Sequence, residues 1–185
     1  KIKILVAEDD EDDALLIREL VREGFYVASI DVVKSFSAAV ARIEESNYDV
    51  CLFDYRLGEM SGLDLLRSLR EKNINIPVIL MTGQGDQEVA VDAMKSGATD
   101  YIVKSNLSVE SLSQSIRHSI KLREDEEQLK RAEAALRRQD ILFQGLAEAS
   151  NRLLTIHDYY TAVNESLALL GESVGADSVC VFEHM

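Results

Sequence analysis

The sequence is poor in most of the residues that build special sites. Proline occurs once, at Pro77, and no low-complexity or repeated segment is present, so a proline-rich linker or a repeat array is excluded. Only two cysteines occur, Cys51 and Cys180, both inside apolar runs and without metal-ligand spacing. They read as small core hydrophobes of a reducing compartment. Of the three histidines, His157 and His184 stand too far apart in sequence to suggest a metal site. Basic residues are the minority among the charges, and the net charge of −13 repels nucleic acid, so direct nucleic-acid binding is not expected. No apolar run approaches a bilayer span and no signal-peptide pattern opens the chain, which argues for a cytoplasmic setting without membrane contact. Against these absences, 46% hydrophobic and 29% charged residues are ordinary for a folded chain. A length of 185 residues leaves room for one domain and something extra. The chain begins at Lys1, not Met, and leads straight into a strand, so the natural protein is expected to start earlier.

One stretch organises the rest: Tyr48 to Leu66, YDVCLFDYRLGEMSGLDLL. The run Val50-Cys51-Leu52-Phe53 has the length and uniformity of a strand buried on both faces. Asp54 follows where that strand leaves the core. Gly58 and Gly62 loosen a loop, and Leu63, Leu66 and Leu69 then repeat at helical spacing. In open α/β sheets ligands bind outside such strand ends. Asp54 taken alone is equally compatible with a turn cap.

Similar units flank it. Lys1–Ala7 reads as a strand ending in the acidic cluster Glu8-Asp9-Asp10-Glu11-Asp12-Asp13. A helix over 14–23 follows, with Leu15, Leu16, Leu20 and Val21 on one face and Gly24 just past its end. Acids favour helix starts, which accounts for Asp12 and Asp13 but poorly for Glu8 and Asp9 at the strand end itself. Residues 26–33 read as a second strand, and Ser35 or Ser37 as the cap of a helix through Glu45. Pro77 introduces the strand 78–81, ending at Thr82; a helix over 87–96 stops at Gly97. The strand 101–103 ends at Lys104, and a last helix starts near Ser108 with Leu112, Ile116 and Ile120 inward. Five strand–helix alternations predict a doubly wound parallel sheet covered on both sides.

Parallel strands bring Glu8, Asp9, Asp54, Thr82 and Lys104 to one sheet edge. Three carboxylates in one small site need a hard divalent cation, and Mg²⁺ suits carboxylate, water and phosphate oxygens. A lysine charge and a threonine hydroxyl are the groups that hold remaining phosphoryl oxygens. Asp54 is then free to act as nucleophile.

This order of residues resembles the receiver domain of two-component response regulators, from Lys1 to about Leu122 without gaps. The resemblance implies a flavodoxin-like (βα)5 fold and a phosphoacceptor role, with a histidine kinase or phosphotransfer protein as donor. It implies phosphorylation at Asp54 and Mg²⁺ held by Asp9 directly, by Glu8 mainly through water, by Asp54 and by the Arg56 backbone carbonyl. Thr82 matches the switch hydroxyl, Lys104 the phosphate-binding lysine and Tyr101 the aromatic that turns inward on activation. No enzyme activity is implied beyond the domain's own phosphoryl transfer and slow dephosphorylation. His118 carries no kinase-like surroundings and reads as structural. Two positions depart from the family: Gly58 and Ser105 stand where prolines are usual. A cis peptide is costly without proline, which leaves the Lys104–Ser105 bond open between cis and trans, with Lys104 less firmly held if it is trans.

Two other readings compete. A haloacid-dehalogenase-type phosphatase uses similar chemistry but needs a second aspartate where Arg56 stands, and its nucleophile ends the first strand. A phosphorylation-independent dimerisation module would use the same fold as a scaffold. Beyond residue 122 the chain turns highly charged, and Leu122, Leu129, Leu136 and Phe143 recur every seven residues. A companion line of Asp125, Ala132, Gln139 and Leu146 is weaker, so the segment is either a single solvated helix or a parallel dimer through residues 116–146. The expected domains are a receiver (1–122), a helical linker (123–145) and a partial α+β segment (146–185). The last resembles the opening of a GAF sensory domain, with an amphipathic helix (Leu153, Leu154, Ile156, Val163, Leu167, Leu170) and a strand over 178–182. A lone strand cannot bury itself, so the natural chain is expected to continue past Met185, there into an output module such as a histidine kinase.

Overall fold

A computed structural model describes residues 1–83 and 87–176. The expected strand over 178–182, with Cys180 and His184, lies outside the described residues. The first unit, Lys1–Asp125, contains β1 (Ile2–Ala7), α1 (Glu11–Gly24), β2 (Ala28–Val33), α2 (Phe36–Glu45), β3 (Val50–Asp54), β4 (Arg56–Leu57), β5 (Met60–Ser61), α3 (Gly62–Glu71), β6 (Val78–Thr82), α4 (Gln87–Lys95) and β7 (Asp100–Val103). After a 3₁₀ turn at Lys104–Asn106, α5 runs from Val109 to Thr155.

Five parallel strands form one sheet in the order β2-β1-β3-β6-β7. Counting only these strands, that is the 2-1-3-4-5 order of flavodoxin-like folds. Alternation along the central strands sorts the core into two layers. Leu5, Ala7, Cys51, Phe53, Val78 and Leu80 face Ala39 and Ile43 of α2, Leu65, Leu66 and Leu69 of α3, and Ala93 of α4. Ile4, Val6, Val50, Leu52, Ile79 and Met81 face Ile17 and Val21 of α1 with Leu112 and Ile116 of α5. Both sides of β3 are therefore covered, which is why its sequence is uniformly apolar.

Several details differ from the sequence expectation. The inward face of α1 is Ala14, Ile17 and Val21, while Leu15 and Leu16 are exposed. The helix carries apolar residues around more than one face, and the sheet selects the face that places Ile17 against β1. Tyr26 and Val27 are exposed and precede β2, which starts at Ala28. The loop after Asp54 is a two-stranded antiparallel hairpin, β4 with β5, turned by Gly58 at φ 65°. Leu57 from this hairpin is buried in the core. Ser35, not Ser37, caps α2.

In the second unit, from Glu126 on, α5 continues to Thr155 and α6 spans Tyr159–Val174. The single amphipathic helix expected there is thus two helices, with Asp158 capping the second through the Thr161 N–H at 2.9 Å. The residues they bury are small: Ala149, Ala162, Ser166 and Gly171, with Ser166 Oγ donating to the Ala149 carbonyl at 3.0 Å. Leu153 and Leu154 are exposed, contrary to expectation. Among the described residues, no helix is long and apolar enough to cross a membrane.

Candidate functional site

The site lies at the carboxyl ends of β1, β3, β6 and β7. Glu8 follows β1 and is fully buried; Asp9 beside it is exposed. Asp54 ends β3 with only 5% of its surface exposed. Carboxylate oxygens of Glu8, Asp9 and Asp54 all lie within 4.8 Å of one another. That donor set suits a hard divalent cation. Arg56 lies in β4, two residues past Asp54 and exposed.

Lys104 leaves the end of β7 and reaches over the sheet. Its Nζ lies 2.7 Å from Glu8 Oε2, 3.0 Å from Asp54 Oδ1 and 2.6 Å from Asp13 Oδ2. The ammonium donates hydrogen bonds to Glu8 and Asp13 and is ion-paired with Asp54. The Lys104–Ser105 peptide is trans. Lys104 is nevertheless well held, because the carboxylates fix its charged end. Asp13, by its sequence position a solvated helix-start acid, is a member of this cluster. Its neighbour Asp10 fixes the first turn of α1 by accepting from the Asp12 and Asp13 N–H groups at 2.9 and 3.0 Å. The sequence signal for Asp13 was weak, since its partner is 91 residues away.

The electrostatics follow from burial. Loss of water pushes the Glu8 carboxyl up to about 7, against the opposing hydrogen bond from Lys104 and with help from the Asp54 charge. Burial raises Asp54 as well, again opposed by Lys104. For Lys104, burial acts to lower the ammonium, but Asp13, Glu8 and Asp54 outweigh it and hold it well above the ordinary lysine value.

Thr82, at the end of β6, is fully buried, and its Oγ1 donates to the Tyr101 hydroxyl at 3.0 Å, with the Gly83 carbonyl a second acceptor at 3.2 Å. Tyr101 is half-buried. One further residue supports the site without touching its charges. The Gly62 N–H donates to the Tyr55 carbonyl at 2.9 Å, and a Cβ at Gly62 would lie 2.1 Å from the Asp54 carbonyl oxygen. No side chain fits there unless the Asp54 backbone moves. The capping box of Ser61 and Asp64 anchors α3 at the same point.

Glu8, Asp9, Asp54 and Lys104 thus meet at one sheet edge, with Thr82 and Tyr101 bonded to each other on the neighbouring strands, and the resemblance can be set against known proteins. A family model described as the response regulator receiver domain matches residues 4–117. The transcriptional regulatory protein ZraR of Salmonella typhimurium is 36% identical over 104 residues, covering 56% of this chain and 23% of that protein. The two-component response regulator PhoP of Pseudomonas aeruginosa is also 36% identical over 104 residues, 45% of its length. AlgB of Pseudomonas aeruginosa, an alginate biosynthesis transcriptional regulatory protein, is 29% identical over 171 residues, covering 92% of this chain and 37% of that one. The chain therefore spans less than half the length of these curated relatives. Among solved structures, the Francisella response regulator 1452 receiver domain superposes with a TM-score of 0.60 at 31% identity, covering 65% of this chain and 98% of that one. By the family match and by its fold, the chain belongs to the response regulator receiver domain family.

Proposed function

We propose that the chain accepts a phosphoryl group on Asp54 from a histidine kinase or phosphotransfer protein. The observation that carries this reading is a buried carboxylate, Asp54, 3.0 Å from the Lys104 ammonium and clustered with the carboxylates of Glu8 and Asp9. An Asp54 oxygen attacks phosphorus, the bond from phosphorus to the donor nitrogen breaks, and that nitrogen keeps the electron pair. Lys104 stabilises charge on the phosphoryl oxygens during in-line transfer. Glu8, Asp9, Asp54 and the Arg56 carbonyl would hold Mg²⁺, which when bound supplies further neutralisation of those oxygens. After transfer, the phosphoryl oxygens compete for the Thr82 hydroxyl, and Tyr101 follows it.

We assign residues 1–122 to this receiver, 123–145 to a helical linker and 146–185 to the start of a GAF-like sensory domain. Leu129, Leu136 and Phe143 of the linker region are each about 60% exposed in the single chain, which supports pairing with a second copy through residues 116–146. The net charge of −13 supports the reading that these residues do not themselves bind nucleic acid; transcriptional regulation is a property of the relatives named above.

Incubation of the purified chain with Mg²⁺ and acetyl phosphate tests the proposal. Intact mass should show one added, acid-labile phosphate that disappears in Asp54→Asn. Equal labelling of the variant refutes Asp54 as acceptor.

A further inference from the structure

We propose that Asp13 is a positioning residue for Lys104, doing through a side chain what the residue after the lysine does not do here. The inference rests on the reading that Asp54 accepts the phosphoryl group. Ser105 leaves the Lys104 backbone in an ordinary trans arrangement, so nothing in that peptide aims the side chain. The lysine ends at the far strand of the sheet from Asp13: β7 is one edge, whereas Glu8 and α1 follow β1, beyond β6 and β3. An extended lysine has four rotatable bonds and would sample many positions at 19% exposure. Two anchors besides Asp54 stop that motion. One is Glu8, fully buried at the end of β1, 2.7 Å from the ammonium. The other is Asp13, partly exposed, at the shortest of the three distances, 2.6 Å.

The allocation of hydrogens shows why this matters. Lys104 gives an N–H each to Glu8 and Asp13 and is ion-paired with Asp54. Asp54 holds the longest of these contacts, 3.0 Å, and is the group that becomes an acyl phosphate. Its share of the ammonium passes to a phosphoryl oxygen, while Asp13 and Glu8 keep their hydrogen bonds. Asp13 thus fixes the ammonium before transfer without having to let go during it. Its own placement comes from the first turn of α1, set by the Asp10 cap.

The test uses Asp13→Asn and Asp13→Glu of the full chain, with Asp12→Asn as the comparison at a neighbouring exposed acid. Asn keeps the size and an acceptor oxygen but removes the charge. Two readouts are taken. The first is hydrogen exchange of the Lys104 ammonium by ¹⁵N NMR without metal or phosphodonor, its signal identified by loss in Lys104→Arg. A fully bonded ammonium exchanges slowly; Asp13→Asn should speed exchange severalfold, and Asp13→Glu should restore much of the protection. The second is the initial rate of Asp54 labelling by acetyl phosphate, which should fall about two- to tenfold in Asp13→Asn, the size expected when a charged acceptor is exchanged for a neutral one and the hydrogen bond is kept. Asp12→Asn should move neither. Unchanged exchange in Asp13→Asn overturns the proposal even if labelling slows, and so does an unchanged labelling rate. The exchange measurement is made without phosphoryl transfer. Failure of Asp54 as the acceptor would appear instead as labelling that survives Asp54→Asn.

Discussion

Replacing Gly62 by alanine probes the geometry of the site without removing any charge. The added Cβ would sit 2.1 Å from the Asp54 carbonyl oxygen, 3.0 Å from the Asp54 carbonyl carbon and 3.2 Å from Phe53 Cβ. An ordinary carbon–oxygen contact is about 3.3 Å or longer, so the backbone of Asp54 has to retreat by about 1 Å. The obstructing atoms are main chain in a strand bonded on both sides, and they cannot swing away as a side-chain tip would. Overpacking of this kind costs about 1–3 kcal/mol. Stiffening of the unfolded chain returns about 0.5 kcal/mol of that. A net loss of about 2 kcal/mol, read from urea midpoints, is therefore expected. Chemistry should suffer more than stability, because a 1 Å displacement of a reacting group costs on the order of a hundredfold in rate. Gly58→Ala is the control. Gly58 lies at φ 65° with nothing within 4 Å of its Cβ position, so its cost, about 1–2 kcal/mol, is conformational and local to the hairpin turn. Acetyl phosphate labelling should stay within a few-fold of wild type in Gly58→Ala and fall far below it in Gly62→Ala. Equal labelling rates in the two variants would refute the argument that Gly62 sets the position of Asp54.

Three further outcomes are expected. Asp9→Ala should weaken Mg²⁺ binding far more than Asp12→Ala in calorimetric titration, since Asp9 shares the carboxylate cluster with Asp54; similar affinities count against the metal assignment. Burial raises the Glu8 carboxyl from 4.5 to about 7, so between these values the folded state binds more protons than the unfolded one, and stability from this group falls as pH rises. A shift of that size corresponds to about 3 kcal/mol, and Glu8→Gln should flatten the change in urea midpoint between pH 5 and 7.5 measured without metal; parallel pH profiles would contradict it. Leu129→Asp combined with Leu136→Asp should convert a dimeric chain to a monomer in light scattering and leave Asp54 labelling intact, whereas a monomeric wild type or an unchanged mutant mass removes the linker dimer.

The parts of this molecule that could be read from sequence are those in which each residue's environment is set by its own element. Val50 to Phe53 announced a doubly buried strand because both faces are covered, and Asp54 was conspicuous as the acid that ends it. The other strand ends followed by the same reasoning once the strands were taken as parallel. What escaped depended on distant or very short structure. Asp13 is a good first-turn helix acid by local criteria, and only the fold brings Lys104 to it. Two-residue strands such as Arg56–Leu57 and Met60–Ser61 are too short to carry a period, so the hairpin read as a loop. In α1 the competing faces Leu15–Leu16 and Ala14–Ile17 are both apolar enough, and packing decides between them. The break before α6 came at Ile156–Asp158, where neither glycine nor proline marks it.

The Thr82 hydroxyl has a single hydrogen, and two acceptors already share it. A phosphoryl oxygen on Asp54 would be a third claimant; Thr82 could give its hydrogen there and keep Tyr101 only by accepting from the Tyr101 O–H, so the Tyr101 link changes by one hydrogen bond. That sets a ceiling on what this channel can transmit. One hydrogen bond is worth about 1 kcal/mol net, enough to move a two-state population about fivefold and far short of the roughly 10⁴-fold needed to carry it from nearly all off to nearly all on. A receiver working through this link alone is therefore a dimmer, and any sharp response has to be manufactured downstream, by adding contributions from other contacts or from a second copy.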